Sequence, residues 1–242
     1  PLKILANERP VIFYDQLGCG KSDLIANQEL MTVARYVDEL EQIRTELKLD
    51  NVILLGQSWG TMLAVEYISR KNPAGIKGLI LSAPYLSTKI WVSDQRRWIA
   101  QLPQEIQDTI RKYEELGDYS APAFQEAMMS FYNKHVCRLE PWPSCLLSSL
   151  EKLNFDVYQY MWGPSEFIMT GILKDADLTE KLNLIRVPTL LTCGEFDEAT
   201  PEATEYYQSL IPNSEIHVFK DASHSHHIEK FEEYVQIIRN FI

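Results

Sequence analysis

Long apolar runs are missing from this chain of 242 residues. Its longest, such as Val52–Leu55 and Leu79–Leu81, fall far short of the roughly 20 residues that a spanning helix needs. Positive charge is also scarce, with 23 basic residues against 34 acidic and a net of −11. A surface of that sign repels phosphate backbones, and no basic stripe offsets it, which argues against nucleic acid as a partner. Cysteine is sparse. Cys19, Cys137, Cys145 and Cys193 form no CxxC pair and have no histidine at metal-ligand spacing. They read as buried free thiols of a reducing, cytoplasmic compartment, with a Cys137–Cys145 bridge left open as the alternative. Repeats and low-complexity stretches are absent as well. The chain opens on Pro1 rather than Met, so the lack of a signal peptide carries no weight.

What remains is an ordinary globular composition, 45% hydrophobic and 24% charged, which excludes a disordered chain, a collagen-like fibre and a coiled coil. A chain this long buries roughly 70–75% of its unfolded surface and needs no disulfide or metal to hold a core. Its length fits one large domain or one domain with an insertion.

Along the chain, Pro10–Tyr14 reads as a short buried strand, followed by a glycine-bearing loop from Asp15 to Asp23. Val33, Tyr36, Val37, Leu40, Ile43 and Leu47 recur at helical spacing. Asn51–Leu55 is a strand, Thr61–Ser69 a helix and Ile76–Ser82 a strand. This alternation predicts an α/β fold with a mostly parallel sheet. From about Tyr85 to Lys181 the pattern changes. Aromatic and charged residues recur at helical spacing in Gln104–Tyr113 and Ala123–Val136, and Pro103, Pro122, Pro141 and Pro143 punctuate the stretch. The alternation then returns with a strand at Val187–Cys193, a helix at Pro201–Leu210 capped by Thr200, a strand at Glu215–Phe219 and a closing helix at Ile228–Ile242. The predicted organisation is a core of residues 1–84 and 182–242 split by a helical lid, 85–181.

Gly56-Gln57-Ser58-Trp59-Gly60 ends an apolar strand and opens a helix, the setting in which G-x-S-x-G presents a nucleophile. A sharp turn lifts Ser58 above the sheet, with glycines on both sides allowing strand and helix to approach. The helix N-terminus favours developing negative charge, and the Trp59 N–H is one oxyanion donor. Ser58 needs a base, and on such a fold the order is Ser, Asp or Glu, His. Asp197 follows a strand through a Gly194 turn, at the carboxyl end where sites on open sheets gather. His224 comes first after the strand end and is preferred as base over His226 and His227. A metal-binding histidine cluster is the competing reading, disfavoured because no acidic or Cys ligand stands at supporting spacing.

These residues resemble the proline iminopeptidases of the α/β-hydrolase fold over essentially the whole chain. The resemblance rests on Phe13-Tyr-Asp-Gln-Leu-Gly-Cys-Gly-Lys-Ser22, the Ser58 elbow, Gly163-Pro-Ser-Glu-Phe167, Gly194-Glu-Phe-Asp-Glu-Ala-Thr-Pro201 and Ala222-Ser-His224. It looks closest to the broader-specificity branch related to the tricorn-interacting aminopeptidase. It implies a Ser58–His224–Asp197 triad, no metal or cofactor, and a peptide substrate with a free N-terminus whose α-ammonium is held by Glu166 and Glu198. Paired carboxylates in a closed site recognise such a cation and reject blocked peptides, which would leave them without a counter-charge.

One segment departs from the family. Its His-Gly-Gly-Pro-Gly stretch, which shapes the other half of the oxyanion hole, has no match here, and the first glycine is Gly18. The expectation is a family member without its first few dozen residues. Such a chain alone would be impaired in turnover and solubility, since one oxyanion donor supplies ~2.7–4 kcal/mol. The lid aromatics Trp91, Trp98, Tyr132, Trp142, Tyr160 and Trp162 read mostly as lid core, with one or two at the pocket. Two rivals remain: an amidase or esterase on the same frame, and a non-catalytic hydrolase-fold protein.

Overall fold

A computed structural model describes residues 2–25 and 27–242. Apolar periodicity builds helix α1 (Val33–Glu46), whose first turn is capped by Thr32. Strand β1 (Val52–Ser58) feeds helix α2 (Trp59–Lys71), which returns to strand β2 (Ile76–Pro84). Six helices follow: α3 (Thr88–Ile99), α4 (Gln104–Leu116), α5 (Pro122–His135), α6 (Ser144–Glu151), α7 (Phe155–Met161) and α8 (Thr179–Leu182). The chain then re-enters the sheet through strand β3 (Thr189–Gly194), helix α9 (Pro201–Leu210) and strand β4 (Ser214–Phe219). It closes with the short helix α10 (His226–Glu229) and helix α11 (Phe231–Phe241).

The sheet has the order β1-β2-β3-β4, and every pairing is parallel. Parallel strands need crossovers, supplied here by α2, by the α3–α8 stretch and by α9. All four strands therefore end on one edge of the sheet, and the turns after β1, β3 and β4 share that edge. β2 and β3 are buried nearly throughout, as central strands covered on both faces are.

One apolar cluster joins α1, α2, the sheet and α9 to Trp91, Val157, Met161 and Trp162. A second cluster lies within the helical stretch, around Phe124, Phe131, Ile110 and Phe167. A third packs α11 against Ile80, Leu190 and Phe219.

Three expectations are corrected. Pro10–Tyr14 joins no strand, and Ile12 and Phe13 are exposed at 46% and 61%, because no neighbouring strand is there to cover them. The closing helix is two helices, broken at Lys230, whose φ of −121° and ψ of 46° are not helical. The four cysteines are unpaired, but only Cys137 and Cys193 are buried, and Cys145 is exposed. Among the described residues, no helix is long and apolar enough to cross a membrane.

Candidate active site

Ser58 sits where β1 becomes α2, with φ of +53° and ψ of −119°, and it caps no helix N–H with its side chain. A non-glycine residue held at positive φ is strained, and here the strain comes from the reversal between strand and helix. Gly56 permits it, because a Cβ there would stand 2.2 Å from the Gly60 carbonyl oxygen. Gly60 differs from the expectation: a Cβ on it would meet open space. Thr61 anchors the turn, donating 2.6 Å to the Ser58 carbonyl and accepting from the Tyr85 N–H at 2.9 Å. Trp59 begins α2, so its N–H belongs to the first turn, which lacks intrahelical acceptors. Its indole donates to Gln16 at 3.2 Å.

Asp197 lies in the turn after β3. There Gly194 passes so close to the Ala222 carbonyl that a Cβ would stand 2.4 Å from it. This close approach brings the turn after β3 against the turn after β4. His224 Nδ1 stands 2.8 Å from Asp197 Oδ1, and both side chains are buried. The Ala199 N–H donates to Oδ1 at 2.8 Å and the Gly194 N–H to Oδ2 at 3.1 Å. Burial works against the charged form of Asp197. The charge and hydrogen bond of His224, with His226 beside it, outweigh that and hold the carboxyl well below the usual range. Burial likewise disfavours His224 as a cation, but Asp197, with Glu166 and Glu229 adding to it, raises its pKa above the ordinary imidazole value.

Helix α3 and the end of α5 fasten this turn. Trp98 Nε1 donates to the Asp197 carbonyl at 2.9 Å, and Gln95 to the Glu198 carbonyl at 3.0 Å. The His224 N–H reaches the His135 carbonyl at 3.0 Å. His135 itself stacks on Trp98 and is pushed down to about 4 by burial. Among the described residues, no hydrogen bond joins Ser58 to His224.

A cavity of about 340 Å³ opens over Ser58. Trp59, Gln57, Val157, Tyr158, Met161, Trp162 and Glu166 are among the residues that line it. Trp91 closes the gap to the imidazole, its ring centroid 5.5 Å from Trp162 and 5.9 Å from His224. Glu166 Oε1 accepts from Tyr158 OH at 2.8 Å, and the Glu166 N–H donates to Tyr132 OH at 3.1 Å. Burial raises the Glu166 pKa, partly offset by His224. Glu198 is 0% exposed, and neither of its carboxyl oxygens has a hydrogen-bond partner. Burial first, then the charges of Glu166 and Asp197, push it far above the carboxylate range. Its Oε2 lies 4.0 Å from His224 Nδ1.

Of the six aromatic residues singled out in the sequence, Trp162 lines this cavity and Trp98 lines a second cleft, beside His135 and Arg138. Sequence reasoning missed Tyr158, which holds Glu166. Its only signal is its place on α7, eight residues before Glu166. It also missed a second serine–histidine contact that shares Asp197. His226 Nδ1 lies 3.4 Å from Asp197 Oδ2, and its Nε2 lies 3.0 Å from Ser82 Oγ.

The family model described as the alpha/beta hydrolase fold matches residues 3–231. The proline iminopeptidase of Heyndrickxia coagulans is 48% identical over 242 residues, covering 100% of this chain and 84% of that protein. That of Thermoplasma volcanium is 43% identical over 234 residues, covering 96% and 79%. Among solved structures, the proline iminopeptidase of Mycobacterium smegmatis superposes with a TM-score of 0.87 at 34% identity, over 94% of this chain and 77% of that one. VinJ superposes with a TM-score of 0.90, also at 34% identity, over 94% and 78%. With such identity spread over its whole length, this chain belongs to the proline iminopeptidases, within the α/β-hydrolase fold family.

Proposed function

We propose that the chain is a serine aminopeptidase of the proline iminopeptidase type, with Ser58 as nucleophile, His224 as base and Asp197 as the group that orients the base. Ser58 Oγ attacks the carbonyl of the first residue while His224 Nε2 takes its proton. Asp197 holds Nδ1–H at 2.8 Å and stabilises the imidazolium that forms. The oxyanion develops beside the Trp59 N–H at the start of α2. The intermediate collapses as His224 returns the proton to the leaving amine, and water then releases the free amino acid from the acyl-enzyme.

Glu198 is the observation that carries this reading. A wholly buried carboxyl group with two unpartnered oxygens, beside a second carboxyl group at the cavity wall, is costly as an empty site and favourable once a cation enters. The substrate's α-ammonium is that cation. Mostly apolar lining by Leu153, Val157, Met161 and Leu173 suits the ring of proline or a larger apolar first side chain. Ser58 is favoured over Ser82 because Ser82 is 0% exposed within β2, where no substrate carbonyl reaches it, whereas Ser58 lines the cavity. The stretch 85–181 serves as the lid, and unpaired cysteines support a cytoplasmic location. The partner is a peptide with a free N-terminus, and no metal or cofactor takes part.

Hydrolysis of fluorogenic Pro, Ala, Leu and Phe amides, each with a free and an acetylated amine, tests the reading. Cleavage confined to the free amines, abolished in Ser58→Ala and with a KM raised at least tenfold in Glu198→Gln, is expected. Equal cleavage of acetylated forms would make the protein a general amidase.

A further inference from the structure

We infer that His226 is a positioning residue for the reaction: its Nδ1–H, hydrogen-bonded to the Ser223 carbonyl, also faces the second oxygen of Asp197 and helps to turn the first toward His224. The inference rests on Asp197 and His224 being the catalytic pair.

Proton accounting supports it. His226 is 0% exposed, so its ring nitrogens have only protein partners. Nδ1 faces two acceptors, the Ser223 carbonyl at 3.2 Å and Asp197 Oδ2 at 3.4 Å, so Nδ1 carries a proton. Nε2 faces only hydroxyls, Ser82 Oγ and Thr192 Oγ1, each at 3.0 Å. Tyr234 OH and Thr192 Oγ1 both donate to Ser82 Oγ at 3.1 Å. With those two bonds filled, the Ser82 proton has one acceptor left, the lone pair of Nε2. The three hydroxyl protons and the imidazole lone pair then balance, leaving Nδ1–H between the Ser223 carbonyl and Asp197 Oδ2. A neutral ring with its proton on Nε2 instead would set a bare Nδ1 against two acceptors. Phe219 stacks on the ring at 5.1 Å between centroids and fixes its plane.

This hydroxyl cluster spans β2, β3 and α11. The orientation of Asp197 is thereby tied to the sheet and the closing helix as well as to its own turn. It also gives Ser82 a use that needs no contact with substrate.

Titratable groups stand around the two imidazoles and Asp197 on several elements, His135 at the end of α5 among them. Asp197 and Glu198 come from the turn after β3, Glu166 from the stretch after α7, His227 and Glu229 from α10, and Tyr234 from α11. Removing a donor from Asp197 concentrates its charge on Oδ1, which strengthens the imidazolium of His224. The acid limb of kcat/KM then moves to higher pH, and kcat falls because the Gly194 N–H alone then holds Oδ2 and the carboxylate is less firmly oriented.

Three variants separate the possibilities. His226→Asn keeps an N–H near Nδ1, and His226→Gln keeps one near Nε2 only. The expected result is a kcat lowered about tenfold or more in His226→Gln, with KM within about twofold and the acid limb shifted upward. His226→Asn recovers most of kcat and the wild-type limb. Ser82→Ala retains labelling of Ser58 by a fluorophosphonate and shows a smaller shift of the same sign. A His226→Gln enzyme with the wild-type kcat and pH profile overturns the inference. So does a kcat loss of equal size in the Asn and Gln variants with the acid limb unmoved. Failure of the underlying reading looks different: the fluorophosphonate would label Ser82, or Ser58→Ala would stay active.

Discussion

At the scale of single residues, the two glycines of the elbow do different work. Gly56 faces a backbone carbonyl that cannot yield, since it belongs to the turn that holds Ser58 at φ +53°. Gly60 has free space around its missing Cβ and lies in α2, where glycine costs roughly 0.5–1 kcal/mol relative to alanine. Gly60→Ala is therefore expected to leave stability unchanged or raise it by up to about 1 kcal/mol, with normal fluorophosphonate labelling. Gly56→Ala should lose more than about 2 kcal/mol and label slowly, because strand and helix must move apart. Urea midpoints and labelling rates for the pair settle it, and a wild-type Gly56→Ala would remove close approach as the reason for that glycine. The elbow and the Asp197 and His224 positions were legible because each follows a strand end, which chain order and periodicity locate. The Tyr158–Glu166 and His226–Asp197 contacts were not. They arise from side chains on separate elements, and no spacing in the chain encodes which of three neighbouring histidines turns inward to the sheet.

At the scale of elements, Thr200 shows how a local signal acquires a distant partner. Its hydroxyl oxygen accepts from the Ala203 N–H at 3.1 Å, the N-cap bond that the sequence foretells, and its proton goes to Asp94 on α3 at 2.7 Å. Burial raises the Asp94 pKa, and the hydrogen bond from Thr200 is the leading effect opposing that rise. Thr200→Ala removes both a cap and a donor to a buried carboxyl, for a loss of about 2–3 kcal/mol. Thr200→Ser should keep most of it. Denaturant titration checks this, and an alanine variant within about 0.5 kcal/mol of wild type would show that α3 and α9 hold together without the bond. The strands of the sheet were read close to their observed bounds because each centres on a short apolar run, Leu79–Leu81 in β2 and Leu190-Leu191 in β3. Pro10–Tyr14 misled by the same token. Apolar, β-prone residues make a strand only where a partner supplies the ladder, and Phe13 has none here. The break at Lys230 is not visible in the sequence, since Ile228, Phe231, Val235 and Ile238 recur at helical spacing across it.

At the scale of the whole molecule, the buried histidines set how the fold responds to acid. His135 is pushed down to about 4 by burial, and His227 to about 3 by burial and then by the charges of His226 and His224. Both folded values lie below the ordinary ~6.5 of an exposed imidazole. The unfolded chain therefore binds more protons across that window. The stability these residues contribute is present above about pH 6.5 and is lost as pH falls toward the folded values. Glu166, Glu198 and His224 act in the opposite sense. Their folded pKa values are raised, so each favours the folded state at low pH and loses that contribution as pH rises through its folded pKa. The slope of stability against pH is thus a difference of opposing proton counts, and a single profile does not reveal His135. Comparison with His135→Gln does, because the substitution removes one proton site and leaves the others. Between about pH 4.5 and 6, the wild-type slope should exceed the variant's by up to about 1.4 kcal/mol per pH unit, one proton's worth. Loss of the stack on Trp98 lowers the variant by a constant offset at every pH, which does not alter the slope. Parallel profiles would mean that His135 takes up its proton in the folded protein as readily as in the unfolded one. The contact between α5 and the Asp197 turn would then open in mild acid before the rest of the molecule does.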